Sequence, residues 1–440
     1  MINPQTLAKQ FALMDISTRA TQLERQQQDL DVQTNALSTL DTALTDFQSA
    51  VDALNSDTDG PVVNSVTADN DSATIIANSE AQAGTYTFFV DQLASAQQTT
   101  FSFKDGDIPN SGTLTITMGE SEMDVDLAQS DEDGDGVVTV SELADAINNS
   151  EDNPGVTATI VNTDGSTTLM VTGDESGDAN SFTVTAGGSI DPNSAFATDI
   201  SAQKQLSPAQ DAIIFLGSSA ADDEVKITNS TNTFDDVIPG VSMTFTEVSE
   251  DGSPLTFTVH NDEGATEAKV QTFVDAYNSL VDTLTSLTSS GSEGSASGVF
   301  SGDAGISSLE RQIQDITHAD YNGVSILDYG ISLDKEGHLQ IDTETFDAAM
   351  EENPDGLSSL FVGDDSMTTQ IDNVLQNYLD DNDGIIMQRQ ANIDDRQEQL
   401  TSEADQLKET YNSSYDRYLS EYTSTLVEIA SMEMSMAAFA

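Results

Sequence analysis

Apolar residues recur at seven-residue spacings near both ends of this chain and at alternate positions through most of its middle. Near the start, Leu37, Leu40, Leu44, Phe47, Val51 and Leu54 step by threes and fours, and Leu30 and Leu23 extend the row backwards by sevens. Near the finish, Ile386, Ile393, Leu400 and Leu407 step by seven, and Tyr411, Tyr415, Tyr418, Tyr422, Leu426 and Ile429 carry the row on. This is the spacing of a heptad seam. So narrow a stripe cannot be buried within its own helix, so each end needs a helical partner, most simply the other end or a neighbouring copy. At about 1.5 Å per residue, a helix over residues 16–54 runs roughly 60 Å. The expected fold class is α+β multidomain, with antiparallel β-rich head domains looped out from a coiled-coil stalk formed by the N- and C-terminal helices.

After a helix stop at residues 55–61 the period changes from seven to two. Strands are expected over 73–77, 85–90, 112–118 and 121–127, the last two forming a hairpin about Gly119 and Glu120. Further strands fall at 156–161, 167–172 and 181–185, with a turn at 162–165, and again at 212–216, 224–228, 241–246 and 255–259. Residues 94–100 read as a polar connection and 187–210 as a loop. Helical spacing returns over 267–287, followed by a linker at 288–297, a helix at 306–316, a hairpin at 331–341 and a helix at 343–352. The expected domains are a leg at 1–55, a mixed domain from 56–82 and 266–384, a β-rich domain from 83–110 and 206–265, an inserted β-rich domain at 111–205, and a second leg at 385–440.

Charge changes this picture most. The 440 residues hold 13 Lys and Arg against 77 Asp and Glu, a formal net charge of −64. Such a field repels phosphate and anionic lipid, which argues against nucleic acid and membrane surfaces as partners. It also points to a saline surrounding or bound divalent ions that screen self-repulsion. With no cysteine there is neither a disulfide framework nor a thiolate site, and His260, His318 and His338 form no zinc pattern. No apolar run is long enough to span a membrane, and the first residues lack the pattern of a cleaved secretory signal. Paired carboxylates are unavoidable among so many acids, and with no Trp, nucleophile elbow or His dyad the sequence does not read as an enzyme.

Residues 131–142 carry the one strong motif. Asp131, Asp133 and Asp135 stand at positions one, three and five of a D-x-[DN]-x-[DN]-G-x5-E loop, Gly136 at six and Glu142 at twelve. Val137 would offer its backbone carbonyl, Thr139 would hold a water, and Glu142 would bind through both oxygens. Hard oxygen ligands in this order suit calcium, used structurally. Leu143, Ala146 and Ile147 place a short helix after the loop, whereas a strand precedes it, so the site would be a lone strand–loop–helix.

The ordered set of short motifs resembles the flagellar hook-associated protein 2 family. The matching stretches include Gly84 to Tyr86 and Gln92 to Ala94; Leu143 to Asn148 with Asn153 to Ala158; Asn232 and Thr233 with Val237 to Val241; Gly298 to Asp303; Tyr329 to Ile331 with Asp334 to Gly337, Leu339, Ile341 and Asp342; Leu360 and Phe361; and Gly384 to Ile386. The family commonly begins with a glycine-rich Gly-Leu-Asp segment that is missing here. The loop at 131–142 stands as an insertion, so no calcium role follows from the resemblance. The resemblance implies a cap at the distal tip of the flagellar filament, a homo-oligomeric ring of about four to six copies. It would retain exported flagellin and guide its folding without covalent chemistry. It further implies export by the flagellar type III apparatus, a chaperone at the C-terminal region, and hook-filament junction proteins as neighbours. Candidate contact residues are Leu37, Leu44 and Val51 on the first stripe, and Leu400, Leu407, Tyr411, Tyr415, Tyr418, Tyr422 and Leu426 on the second. For the tyrosines, contact within one chain is the alternative to contact between legs or with the filament. The alternative function is an extracellular calcium-stabilised adhesin whose β-rich head binds glycans or surfaces.

Overall fold

A computed structural model describes residues 3–56, 59–104, 106–163, 166–220, 225–250, 253–291 and 296–439. The chain opens with α1 (Pro4–Leu54) and continues through β1 (Asn64–Ala68), β2 (Ala73–Ala77), β3 (Gly84–Gln92), β4 (Gln98–Phe103), β5 (Thr113–Met118) and β6 (Ser121–Asp126). There follow α2 (Val140–Asn148), β7 (Val156–Thr163), β8 (Ser166–Gly173), β9 (Phe182–Gly187), α3 (Ala195–Ser201) and β10 (Lys204–Ser207). The last long strands are β11 (Ala212–Leu216), β12 (Val225–Asn229), β13 (Thr233–Ile238), β14 (Val241–Phe245) and β15 (Leu255–Asn261). Helices then return as α4 (Glu263–Thr288) and α5 (Ala304–Thr317), with the hairpin β16 (Ile331–Leu333) and β17 (Leu339–Ile341) before α6 (Thr343–Glu352), α7 (Pro354–Phe361), α8 (Met367–Leu379) and α9 (Ile385–Phe439). These elements form two units, Met1–Val62 with Glu263–Ala440, and Val63–Asp262.

In the helical unit α1 starts earlier than the heptads indicate. Asn3 accepts the Gln5 amide at 3.0 Å and Pro4 stands at the first helical position, so the cap is set by two residues made for it. Helix α9 packs antiparallel to α1: Phe11 meets Tyr418 and Tyr422, Arg19 pairs with Glu403, and Leu30 and Leu37 pack with Ile393. Because α9 begins only at Ile385, the stripe of α1 beyond Leu37 has a different partner. Leu40, Leu44, Phe47, Val51 and Leu54 enter the core built by α4 to α8. Phe47 is central there, 5.7 Å from the Phe273 ring and 6.1 Å from Tyr277. Thus Leu44 and Val51 hold the globular core instead of facing the C-terminal helix.

One ion pair fixes where α9 departs from that core. The Asp303 carboxylate caps α5 by accepting the amides of Gly305 and Ile306 at 3.0 and 3.1 Å. Arg389, in the first turns of α9, donates to both its oxygens at 2.8 and 2.9 Å and lies 5.7 Å from the centre of the Phe300 ring. Hydrogen bonding from Arg389 holds the Asp303 carboxyl below its ordinary 3.8, against the opposing effect of partial burial.

The β-rich unit has two cores. One lies between the five-stranded sheet β1-β15-β3-β11-β12 and the three-stranded sheet β13-β14-β2, with Phe88, Phe245, Phe257 and Met243 buried. The other lies between β10-β4-β8-β7 and β6-β5-β9, closed by α2 and α3, with Phe101, Ile116, Met123, Leu143 and Phe196 buried. The strand pairing therefore moves two expected boundaries. β1 and β2, expected with residues 266–384, pair with β15 and β14. β4, expected outside the inserted domain, pairs with β8 and supplies Phe101 and Phe103 to the second core. The expected connection at 94–100 is thus partly strand. The expected loop at 187–210 contains α3, capped by Ser194 and held by buried Phe196, Ala197 and Ile200. Parts of the expected turn at 162–165, the strand start at 224 and the linker at 288–297 lie outside the described residues.

Two measurements test the helical unit. Phe47→Ala should cost about 3–5 kcal/mol in chemical unfolding, whereas Ala at the exposed Val32 should stay within about 0.5 kcal/mol; equal effects would deny Phe47 its central place. Arg389→Met should cost about 1.5–3 kcal/mol at neutral pH. A carboxyl whose folded pKa is depressed stabilises above its unfolded pKa and loses that contribution as pH falls through the folded one. The Arg389→Met deficit should therefore shrink below 3.8, and a deficit unchanged into acid would assign it to packing on Phe300 instead.

Candidate functional site

Two places carry the candidate residues: the pair of terminal helices and the acidic loop. In the helix pair, Leu37 is buried beside Ile393, with Leu400 packed against them. Leu407, Tyr411, Tyr415, Tyr418, Tyr422 and Leu426 are half-buried. Tyr411 stacks on Tyr415 at 6.2 Å, and Tyr418 on Tyr422 at 6.3 Å. Phe11 stands 5.7 Å from each ring of the second pair, in a stretch of α1 where Ala8 and Ala12 are fully buried. One aromatic ring of α1 thus meets two from α9. The tyrosine stripe is engaged within the chain and keeps part of each ring accessible. Arg417 pairs with Asp15 at 3.3 Å, and the Tyr418 hydroxyl donates to the same carboxylate.

Since Phe11 already lies against Tyr422 and α1 begins at Pro4, the last turns of α9, beyond about residue 430, outrun their partner. Met432, Met434 and Met436 there are 65–69% exposed, and Val427 and Ile429 are exposed just before them. Among the described residues no helix is long and apolar enough to cross a membrane.

The acidic loop is built by turns that the sequence dictates. Gly134 and Gly136 take φ of +71° and +85°, values that suit glycine. Their amides turn inward to Asp131, whose oxygens each accept one at 2.8 Å. At the far end Thr139 caps α2 and exchanges a capping box with Glu142: the Thr139 amide donates to Glu142 Oε2 at 2.8 Å, while Glu142 N donates to Thr139 Oγ1 at 3.2 Å. Glu142 Oε1 accepts the Glu132 amide at 3.0 Å, closing the loop on itself. The bonds from Thr139 lower the Glu142 carboxyl below its ordinary range.

Carboxylate oxygens of Asp131, Asp133 and Glu142 lie within 4.8 Å of one another, close enough to share a cation. Asp135 is not in that group; its Oδ1 accepts the Val137 amide at 2.8 Å. The Val137 side chain is exposed, and the Thr139 hydroxyl is committed to the cap. Strand β6 precedes the loop and α2 follows it.

Sequence reading missed a set of side-chain amides that each grip one backbone residue by both N–H and C=O. Asn232 holds Ala94 at 2.7 and 3.1 Å, Asn148 holds Ala158 at 2.7 and 2.8 Å, and Asn278 holds Leu339 at 2.7 and 2.9 Å. Gln97 does the same to Phe182. Ala94, Asn148, Ala158, Asn232 and Leu339 all fall in the family-like stretches, as does Asp303. The signal was there in the motifs, without its physical reason.

Models of the flagellar hook-associated protein 2 N-terminus and C-terminus match residues 2–97 and 209–432. The residues between them carry the second β core. The lateral flagellar hook-associated protein 2 of Vibrio parahaemolyticus is 34% identical over 336 residues, covering 74% of this chain and 75% of that protein. The A-type flagellar hook-associated protein 2 of Pseudomonas aeruginosa is 27% identical over 410 residues, 88% of this chain and 83% of that one. A crystal structure of the D1-D2-D3 domains of the flagellar cap protein FliD from Escherichia coli superposes with a TM-score of 0.66 at 26% identity, spanning 81% of this chain and 99% of that one. Matched at both ends by the family's models and along most of its length by such relatives, this chain belongs to the flagellar hook-associated protein 2 family.

Proposed function

We propose that this protein is the structural cap at the distal tip of a bacterial flagellar filament, where it retains exported flagellin and promotes its folding and insertion. The observation that carries this reading is the family match at both chain ends, the two segments that pack together as α1 and α9. The role is mechanical and assigns no covalent chemistry to any residue. The relatives are flagellar proteins, and the adhesin alternative gains no support from them.

Several finer features belong to this reading. Copies would assemble as a closed ring of about four to six, next to flagellin and the hook-filament junction proteins. The partly accessible tyrosine stripe favours a second contact beyond Phe11, with a neighbouring leg or the filament. The uncovered apolar end of α9 favours a chaperone at the C-terminal region before export through the flagellar type III apparatus. A coiled-coil supercoil along the leg would follow from the heptads. A structural calcium ion in the loop at residues 131–142 is supported by the proximity of Asp131, Asp133 and Glu142, with the remaining oxygens supplied by Asp135, the Val137 carbonyl and water at Thr139. Its gain would be relief of carboxylate repulsion in a unit that is already strongly acidic.

Deleting the gene should release monomeric flagellin into the medium and leave cells without filaments, with recovery on complementation; normal filaments in a strain holding no second cap protein would sink the reading. For the loop, calcium at about 100 times its Kd adds about 2.7 kcal/mol, which should raise the melting temperature of the full chain's β-rich unit by roughly 5–10 °C. Chelator should reverse the rise, and Asp133→Ala should abolish it. A melting curve indifferent to calcium and chelator would make the loop an acidic turn.

A further inference from the structure

We infer that edge strand β12 of one copy pairs antiparallel with edge strand β6 of a second copy, joining the β-rich units head to tail. The inference rests on the ring assembly proposed above and names the surfaces that would build it. β12 ends the five-stranded sheet and β6 ends the three-stranded one, and among the described residues neither has a strand on its outer side. Two other edges are less available. The edge of β7 is occupied at Ala158 by the Asn148 amide, and β10 loses its register after Gln205.

Charge selects between the possible pairings. Residues 63–262 hold 34 Asp and Glu against only Lys104, Lys204 and Lys226. Two such units approaching through most of their surface set carboxylates against carboxylates. Lys226 is exposed on β12 and makes no ion pair among the described residues, while Glu122 and Asp124 are exposed on β6. A lone lysine on an open edge ordinarily deters pairing; opposite an acidic edge it favours it. Pairing β6 with β6 opposes like charges, and pairing β12 with β12 sets Lys226 against a strand with no acid between Val225 and Asn229.

The alternation of both strands fits one register. With Lys226 opposite Asp124, Thr228 falls opposite Glu122 on the polar face, and on the other face Val225 meets Val125 and Ile227 meets Met123. Val125 and Met123 are buried in one core, Ile227 packs against the other, and Val225 is 59% exposed at its rim. Continuing the sheet across the contact therefore joins apolar face to apolar face, and a slip of one residue would destroy the match. Because the two edges differ, the contact is heterologous, the kind that closes into a ring when the rotation permits.

The chain has no cysteine, which makes the test direct. Full-length Lys226→Cys and Asp124→Cys variants, each checked to melt like the native protein, are mixed under mild oxidation and run on a non-reducing gel. Opposed residues of an antiparallel pair lie within the Cα range of a disulfide. The mixture should give reducible dimer several-fold above either variant alone. If light scattering shows assembled copies but the mixture gives no more dimer than the single variants, the β12–β6 contact is wrong and the ring stands. If the native protein does not assemble at all, the contact and the ring both fall. A second arm needs no new cysteine: Lys226→Asp should weaken assembly, and mixing it with Asp124→Lys should restore it, whereas no recovery would count against the pairing.

Discussion

The apolar stripe of α1 is the feature on which the helical unit depends, because it serves two partners in succession. Up to Leu37 it faces α9, and from Leu40 to Leu54 it is built into the core with α4 and α8. Each fully buried Leu or Phe contributes about 1.5–3 kcal/mol, so a helix that would not be stable alone is held at both ends by tertiary contact. The first contact is also very non-local: Arg19 and Glu403 are 384 residues apart. The contact joins segments from opposite ends of the sequence, so it cannot form until both are present. The leg is therefore finished only when the last residues of the chain are available, which suits a protein proposed to travel unfolded through an export channel before it assembles.

Charge is distributed with the same division. Four of the ten Lys and Arg of the helical unit link distant segments: Arg19 with Glu403, Arg417 with Asp15, Arg389 with Asp303 and Lys269 with Asp59. Exposed pairs of this type contribute little energy each, but they set register between α1 and α9, where a narrow apolar seam alone would tolerate a heptad slip. Arg389 stands apart because its partner is also a helix cap, so one carboxylate fixes both the start of α5 and the departure of α9. The β-rich unit has almost no cations to use in this way. Its order comes from strand ladders and from neutral amides, which add no charge to a surface that already repels itself.

What the sequence made legible follows from how local each signal is. Heptads and alternation are properties of a few consecutive residues, and they placed the long helices, the β5–β6 hairpin and most strands. The start of α1 was missed because Ala8 and Ala12, though buried, add no large apolar side chain to the heptad row, although Asn3 and Pro4 already marked a helix start. β13 was passed over because Asp235 and Asp236 interrupt its apolar pattern, and α3 because only three of its residues are buried. In the acidic loop the motif placed the turn at Gly136, the following helix and Glu142 on its first turn, but not the capping box that Glu142 makes with Thr139. It did not foresee Asp135 turning to the Val137 amide, a choice between two acceptors that depends on backbone geometry and not on residue type.

The division of the β-rich unit has a physical basis at its neck. Strands β3 and β11 pair, and just beyond them Ser95 and Gln210 exchange backbone bonds at 3.0 and 3.1 Å. The chain thus leaves for the second core and returns from it at one point on the first. Both ends of the excursion are already held together by the sheet that bears it, so its length adds little closure cost to the first core. Gln97, two residues past Ser95 on the outgoing side, grips Phe182 of β9 and so orders the start of the second core from its own side. Such a neck allows the segment between residues 97 and 209 to change without disturbing the fold that carries it. The family models stop and resume at those positions, and the acidic loop and edge strand β6 both lie within the segment. The surfaces by which one member of the family would differ from another are therefore concentrated where the fold constrains them least, while the helix pair and the first core supply the common frame.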